Sequence, residues 1–430
     1  MRSKVCIISV ACILASWNIA AAPGGRIPLA VKDSTERAHI REYVEEIGFY
    51  QKANRDLGDP RFMFSDSKGK VDFGIGGMCK VTTFYGFGGE APEMSFRPSA
   101  ISIPNDISPW YNMSMNGTEV HLKARTDIGG HKLGAFIKIS SNHKKEISLN
   151  NAYISYDNFS IGLIPSFFMD LEVGVMTTGL GFDSQIDNTH PLIGYTFRPG
   201  EKWSIATAIE WPELDLSHYE PTIGIASTYQ PVPDLAAHVK YRGSWGHIQL
   251  GAVARCLTYW TYKYPVSSDA DGLNAHEFGF GISFSGNYKP TSKLKLSWEL
   301  SAGHGYANYL QNLGDLHLDL GINAILGSQY PTMSAIPATS DQIAAQYNFS
   351  KKFSSSLILS YSHCGKGQRM TRYDNFCESY SAIANFFWNI DEFSYLGVEY
   401  LFGTRKIYVD EGQPDFGRAH RLALVMAYCF

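Results

Sequence analysis

The chain of 430 residues lacks any long apolar segment after its first 22 residues. A membrane-spanning helix needs about 20 consecutive apolar residues, so the sequence predicts none beyond that point. The mean hydropathy of −0.15 is typical of a soluble protein. A transmembrane β-barrel has a similar average, however, because polar and apolar residues alternate along its strands. The net charge of −4 and the pI near 6.4 give no indication of nucleic-acid binding.

Cysteine is also scarce. Two of the seven cysteines, Cys6 and Cys12, lie in the first 22 residues, and the other five are too scattered for a disulfide framework. Cys364 and Cys377 stand at the facing ends of two predicted strands and could be bridged across one loop, which the sequence leaves open. No spacing of cysteine and histidine matches a metal site, so we expect neither a metal nor a cofactor.

The N-terminal region contains a leader and one helix. A basic start, an apolar run and a group of small residues predict a secretory signal peptide over residues 1–22. Residues 23–70 are predicted to form a periplasmic helix and linker, because apolar residues recur at three- and four-residue steps between Asp33 and Gly58. The narrow apolar stripe fits either a short coiled coil or a single amphipathic helix beside the main domain.

From residue 71 onward the pattern is that of β-strands. Apolar residues alternate with polar or small ones, as in AHEFGFGISFSGNY and KLKLSWELSAGH. Short turns such as DIGGHK and NIDEF alternate with long loops, an asymmetry that is typical of outer-membrane barrels. The sequence therefore predicts an all-β fold over residues 71–430, a transmembrane antiparallel up-and-down β-barrel of about sixteen strands.

The C-terminal stretch RLALVMAYCF carries large apolar residues at every second position and ends on an aromatic residue. Because lipid offers no partner for unpaired backbone, we expect this last strand to pair with the first and close the barrel. Outer-membrane proteins carry an aromatic C-terminal signature that the barrel-assembly machinery reads. Tyr428 and Phe430 resemble that assembly signal.

Assigning alternate residues to the two faces of the strands gives a set of charges that should face the lumen. The predicted pore-lining residues are Lys80, Lys123, Arg125, Lys138, Lys240, Arg242, Arg255, Lys295 and Arg421. The acids on the same faces are Glu119, Glu210, Glu277, Glu299 and Glu399. An excess of Lys and Arg favours anions in a pore. The alternative is that these charges pair with carboxylates and leave little net selectivity.

The segment PSFFMDLEVGVMTTGLGFDSQIDNTHP follows the fifth predicted strand and mixes apolar with acidic residues. We expect it to fold into the lumen as a constriction, with Asp170, Glu172, Asp183 and Asp187 facing the basic wall. The alternative is an ordinary surface loop. Residues 305–340 could narrow the pore for similar reasons.

Four stretches carry a resemblance to a known family: FGIGGMCKVTTFYG, LKARTDIGGHKLGAFIKI, NAYISYDNFSIGLIPSFFMD and PDLAAHVKYRGSWGHIQLGAVAR. Together with the helix that precedes the barrel, they resemble the DcaP-like trimeric porins of Gram-negative outer membranes. The resemblance implies a homotrimer, a periplasmic N-terminal stalk and uptake of small, often anionic solutes. Family members with that stalk have a longer helical region than this chain. The family has no catalytic residues that could be transferred.

The expected function is therefore that of an outer-membrane porin in a Gram-negative bacterium, embedded in lipid and lipopolysaccharide. Small hydrophilic, anionic solutes would diffuse passively through its loop-constricted pore. Conductance in planar bilayers separates this hypothesis from its alternatives.

Two alternatives belong to other functional classes. A barrel hydrolase needs a histidine with a serine or aspartate partner at the rim. His190, His218, His304 and His363 lie near loops but in no recognisable constellation, so we expect no enzyme activity. A surface-binding or adhesin barrel is suggested only by aromatic loop residues such as Trp110.

Overall fold

The computed structural model describes residues 62–65, 70–89, 95–105, 109–141, 146–179, 184–212, 225–226, 230–262, 272–314, 316–324, 330–365, 376–391, 393–409 and 412–430. The predicted signal peptide and N-terminal helix lie outside these residues, as do Asp183 and His218. No helix within the described ranges is long and apolar enough to cross a membrane.

Twenty-one strands lie in the described residues, and nineteen of them form one antiparallel sheet. In chain order the strands are β1 (Phe62–Ser65), β2 (Val71–Gly86), β3 (Trp110–Ser114), β4 (Glu119–Ile128), β5 (His131–Ser141), β6 (Ile147–Tyr156), β7 (Phe159–Pro165), β8 (Thr189–Phe197), β9 (Trp203–Glu210), β10 (Ile225–Ala226), β11 (Asp234–Gly243), β12 (Gly246–Tyr262), β13 (Gly272–Tyr288), β14 (Leu294–His304), β15 (Leu320–Ala324), β16 (Thr332–Ala335), β17 (Pro337–Asn348), β18 (Phe353–Cys364), β19 (Phe376–Asn389), β20 (Ser394–Ile407) and β21 (Phe416–Cys429). The β15–β16 hairpin is separate from the main sheet.

The main sheet closes into a barrel of sixteen spans. β3 and β4 both pair with β2, and β10 and β11 both pair with β12, so each of these two pairs makes one span. β1 pairs only with the start of β2. The ring closes where β21 pairs with β2, from Met78–Cys429 to Gly86–Arg421. The predicted sixteen-strand barrel, with its last strand paired to its first, is confirmed.

The two faces of the strands differ with a period of two, as predicted. On β21 the side chains of Leu422, Leu424 and Met426 are exposed on the outside, whereas Ala423 and Val425 are buried inside. The outward row of β13 is likewise apolar and exposed, and its inward row is made of small and polar residues. An exposed apolar belt of this kind faces the acyl chains of a membrane.

Tight turns join the strands at one end of the barrel. Gly129 and Gly130 connect β4 to β5, with φ angles of 65° and 88° that glycine adopts without strain. The long connections contain short elements of their own, namely β3, β10, the β15–β16 hairpin and the 3-10 helices Pro98–Ala100 and Ala307–Tyr309. These elements have five residues or fewer, too few for a recognisable alternation.

The barrel begins before residue 71, where the sequence analysis placed its start. β1 lies within the predicted helix and linker of residues 23–70, yet it pairs with β2. Its Phe62 and Phe64 are exposed. β21 ends where Phe430 exchanges two backbone hydrogen bonds of 2.9 Å with Gly77, and β1 continues the pairing along the same edge of β2. β1 thus supplies partners that the last strand is too short to reach.

The bridge between Cys364 and Cys377 that the sequence left open does not form. Both cysteines are buried, Cys364 at the end of β18 and Cys377 near the start of β19, and neither is joined in a disulfide. Cys364 belongs to an apolar cluster inside the barrel with Phe376 and Leu310. It therefore acts there as a small apolar side chain.

Replacing Leu424 by arginine tests the lipid-facing assignment. Leu424 lies in the middle part of β21 and points outward. A cationic side chain near the bilayer midplane lowers the free energy of unfolding of a β-barrel by about 2–4 kcal/mol. We expect that loss in urea unfolding from lipid vesicles. Gln413→Arg, in the exposed turn between β20 and β21, is the control and leaves the free energy unchanged. A stable Leu424→Arg variant contradicts the assignment.

Candidate pore constriction

The connection between β7 and β8 lies inside the barrel. We call residues 166–188 the constriction segment; 166–179 and 184–188 of it are described. Its apolar side chains Phe167, Phe168 and Ile186 are almost fully buried. The segment forms hydrogen bonds with inward-facing side chains on strands from β9 round to β20, among them His238, Lys240, Gln249, Ser285, Asn287, Lys295, Gln346, Ser362 and Asn385.

Three buried glutamates of the wall accept hydrogen bonds from the backbone of this segment. The pairs are Glu210 with the N–H of Phe167 at 2.8 Å, Glu299 with that of Ile186 at 3.2 Å, and Glu399 with that of Thr178 at 3.1 Å. Buried carboxylates need such donors, because burial of a polar group without a partner is unfavourable. These acids therefore hold the constriction segment against the wall.

A buried charged cluster fixes the segment near its start. Lys240 of β11 donates hydrogen bonds to Asp170 at 2.9 Å and to Glu172 at 3.0 Å, and Nε2 of His247 lies 2.7 Å from Asp170. Burial by itself would raise the pKa of Asp170, but Lys240 and His247 outweigh it and hold that pKa far below its ordinary value. Asp170, Glu172 and His247 are close enough together to ligate a metal ion. The ammonium group of Lys240 already places a cation between the two carboxylates.

Residues 95–105 belong to the connection between β2 and β3, and we call them the first inner segment. They cover Arg421. The guanidinium carbon of Arg421 lies 4.7 Å from the ring centroid of Phe84, 5.5 Å from that of Phe96 and 5.1 Å from that of Trp110. Such cation–π contacts stabilise a guanidinium group that is removed from water. Arg421 is 0% exposed, so it contacts protein and not lumen water.

Residues 305–319, the third inner segment, cover Arg255 in the same way. Nε of Arg255 lies 2.8 Å from Asp234, and Nη1 lies 2.7 Å from Asp319 of the segment. Tyr309 stacks on the guanidinium group at 5.2 Å and its hydroxyl donates to Asp234 at 3.0 Å. Because all these groups are buried, the charge of Arg255 is compensated by protein.

The nine predicted pore-lining residues all lie on inward rows of their strands, but they fall into two groups. Five contact the inner segments: Lys240, Arg242, Arg255, Lys295 and Arg421. Four lie on another part of the wall, formed by β2, β4 and β5: Lys80, Lys123, Arg125 and Lys138. Of these four, Lys80 also reaches the constriction segment, because its ammonium group lies beside Gly179. Within the second group, Lys138 pairs with Glu119 at 2.7 Å.

The four predicted acids of the constriction segment also occupy different places. Asp170 and Glu172 face the wall, where Lys240 binds both. Asp187 is exposed inside the barrel. Asp183 lies outside the described residues. The prediction had all four acids facing the basic wall; among the described ones, Asp170 and Glu172 lie against it and Asp187 does not.

Sequence reasoning missed the side chains that hold the inner segments. Glu210, Glu299 and Glu399 had been assigned to the inward row, but only as acids that offset a basic wall. Ser99 and Asn312, which hydrogen-bond to each other, gave no signal at all. Strand periodicity reports which face a side chain occupies. It does not report which distant loop will cover that side chain.

Solved structures share this architecture. The outer-membrane channel DcaP of Acinetobacter baumannii gives a TM-score of 0.69 at 17% identity, covering 85% of this chain and 99% of that chain. This chain has the fold of an outer-membrane channel. The anion-selective porin from Comamonas acidovorans gives 0.53 at 10% identity over 84% and 100% of the two chains. OmpT, an outer-membrane protein of Vibrio cholerae, gives 0.55 at 9% over 86% and 100%. The resemblance to DcaP-like porins is thus supported by the fold. No protein-family model and no curated protein sequence matches the chain.

Replacing Lys240 by methionine tests the buried cluster. The change leaves Asp170 and Glu172 without the cation they share, and breaking a buried ion pair destabilises a protein by about 3–5 kcal/mol. We expect a lower midpoint of thermal unfolding and faster proteolysis within the constriction segment. Arg242→Met is the matched control, because Arg242 is 43% exposed and an exposed pair contributes about 0–1 kcal/mol. Equal losses in the two variants argue against a special role for Lys240.

Proposed function

We propose that the chain is an outer-membrane porin through which small hydrophilic solutes, preferentially anions, diffuse passively. The observation that carries this proposal is a closed barrel with an apolar outer belt and a polar interior, into which a loop segment folds. Such a barrel gives water and solutes a path across lipid without leaving backbone groups unpaired. The similarity to a channel and to an anion-selective porin supports the same function.

The solute path in this proposal runs between the constriction segment and the wall formed by β2, β4, β5 and β6. The hydrogen bonds described above bind the segment to the side of the wall from β9 to β20. On the other side, Lys138 and Glu119 keep 17% and 14% of their side chains accessible to solvent. Asp187 of the segment is exposed and lies within electrostatic range of Lys138. These groups would meet a passing solute.

The anion preference follows from the charges that remain on this side. Those in the buried clusters compensate one another and contribute little to the field in the path. Lys138 and Arg125 are partly accessible, whereas Lys80 and Lys123 are buried and would act through their field. These four basic groups outnumber the three acids on this side, Glu119, Asp187 and Asp72, the last of which lies opposite Arg125 on β2, and a low-dielectric wall focuses the net positive field on the path.

The same proposal includes the location, export, assembly and oligomeric state of the protein. The apolar belt supports a location in the outer membrane of a Gram-negative bacterium, where the protein would contact lipid and lipopolysaccharide. Residues 1–22 would direct export, residues 23–70 would lie largely in the periplasm, and Tyr428 and Phe430 would be read by the barrel-assembly machinery. We also propose a homotrimer, which a trimeric form of Vibrio cholerae OmpT supports by similarity of fold. Cross-linking of the detergent-solubilised protein tests it.

The geometry favours neither alternative function. Among the described histidines, His190 packs on Tyr309 and His304 stacks on Phe280. His363 stacks on Tyr361. His131 and His247 each lie 2.7 Å from an aspartate, Asp157 and Asp170, and His276 lies 2.9 Å from the hydroxyl of Thr258. In these contacts no histidine joins an acid to a hydroxyl group, as an activated nucleophile would require. Trp110, one of the aromatic residues that suggested a surface-binding role, packs on Phe84 and Arg421 inside the barrel.

Conductance of the purified protein in planar lipid bilayers tests the porin proposal. We expect stepwise openings of constant size, with a reversal potential in a salt gradient that indicates anion preference. Hydrolysis of lipid or peptide without conductance would favour an enzyme. Silence in both assays would favour a surface-binding barrel.

Reversing the charge of Lys138 tests the proposed path. Lys138→Glu places a third acid beside Glu119 and Asp187, so we expect the reversal potential to shift towards cation preference while the channel still opens. Lys351→Glu, in an exposed turn, makes the same change in net charge away from the lumen and leaves the reversal potential unchanged. Identical reversal potentials for wild type and Lys138→Glu would remove this side of the wall from the path.

A further inference from the structure

The third inner segment is paired with the constriction segment. The N–H of Asp187 donates to the carbonyl of Tyr309 at 3.0 Å, and the N–H of Gln311 donates to the carbonyl of Gln185 at 2.9 Å. Ile186 and Leu310, which lie between these two hydrogen bonds, form an antiparallel β-bridge. The constriction segment therefore rests on a second loop as well as on the wall.

The first inner segment, the constriction segment and the third inner segment are together the three inner segments. Asn312 connects them at one point. Its carbonyl accepts a hydrogen bond from Oγ of Ser99 at 2.7 Å, and its Oδ1 accepts one from the N–H of Ser99 at 3.3 Å. Its Nδ2 donates to Oγ of Ser379 at 2.9 Å and to Oγ of Ser362 at 3.3 Å. Ser362 also lies 2.8 Å from Oγ of Ser184 in the constriction segment. Asn312 thus joins the first inner segment, through its main-chain carbonyl and its side-chain amide, to β18 and β19, and it reaches the constriction segment through Ser362.

The hydrogen bonds around Asn312 are buried, so their loss would be unfavourable. Asn312, Ser99, Ser184, Ser362 and Ser379 are each at most 3% exposed. A buried polar group that loses its partner gains no compensating bond to water. Elsewhere each segment is held to the wall separately, by the Arg421, Lys240 and Arg255 contacts. The mutual contacts around Asn312 add to these separate wall contacts in fixing the segments relative to one another.

We propose that the constriction is a composite of the three inner segments, and that Asn312 is the positioning residue that keeps its width constant. This inference rests on the proposed porin function. The third inner segment backs the constriction segment on the side away from β2, β4 and β5. Without the contacts of Asn312, the three segments can shift relative to one another, and the gap that a solute passes changes with them.

Single-channel recording of Asn312→Ala in planar bilayers tests the proposal. Loss of these buried hydrogen bonds is expected to raise the population of displaced arrangements roughly 5- to 30-fold. The same factor should appear in the fraction of time that an open channel spends at altered conductance levels. A merely stabilising role would lower the midpoint of thermal unfolding without adding such levels.

Two further variants complete the experiment. Asn389→Ala is the matched control, because it removes an amide that donates to the main-chain carbonyl of Lys351 at the turn end of β19, outside the inner segments and the proposed path. It should leave the conductance levels unchanged. Ser99→Ala removes the partner of Asn312 and should add altered levels by itself. The double variant Ser99→Ala/Asn312→Ala should add no more than the stronger single change, because contacting residues are not additive.

The outcomes separate the two proposals. If wild-type protein forms no channel, the porin function fails. If wild type conducts and Asn312→Ala shows the same steady level, the composite constriction is overturned while the porin function stands. The heat-dependent mobility of the variants on gels reports whether each barrel has folded. Should Asn312→Ala not fold, the levels of Ser99→Ala decide by the same criterion.

Discussion

The absence of hydrogen-bond partners in lipid is the constraint on which this structure depends. Every backbone N–H and C=O at the depth of the acyl chains must pair within the protein. The chain meets this requirement by pairing β21 with β2 and by continuing that edge with β1. Closure in turn requires each strand to have an outer and an inner face. The period-two pattern of the sequence is a consequence of that requirement.

Closure also creates an interior with its own constraint. The inward rows carry charged residues, and the inner segments fold against them and remove many from water. Each charge that is covered needs a partner. Arg421 finds three aromatic rings, Arg255 finds two carboxylates, and Lys240 finds Asp170 and Glu172. The wall charges therefore fix the loops in place, and few of them remain to act on a solute.

The difference between regular strands and irregular inner segments explains which features could be predicted from the sequence. The barrel, the strand count, the closing pair and the inward row were predictable, because alternation along a strand survives whatever packs on either face. Arg421 lies on the inward row of β21. Its burial depends on Phe96, which belongs to a connection far away in the chain and shows no periodic pattern. β1 and β3 escaped prediction because their alternation is too short to detect.

The same division separates the determinants of fold from those of permeation. Apolar side chains on the outer belt can be exchanged for others of the same kind without changing the barrel, which is consistent with a shared architecture at 17% identity to DcaP of Acinetobacter baumannii. In the proposed path, width and charge would depend instead on a few contacts among the inner segments and on the wall of β2, β4 and β5. Substitutions at these positions could alter which solutes pass while every strand pairing stays the same. Comparison of channels of this fold should therefore begin with the partners of the inner segments, because overall similarity reports only on the barrel.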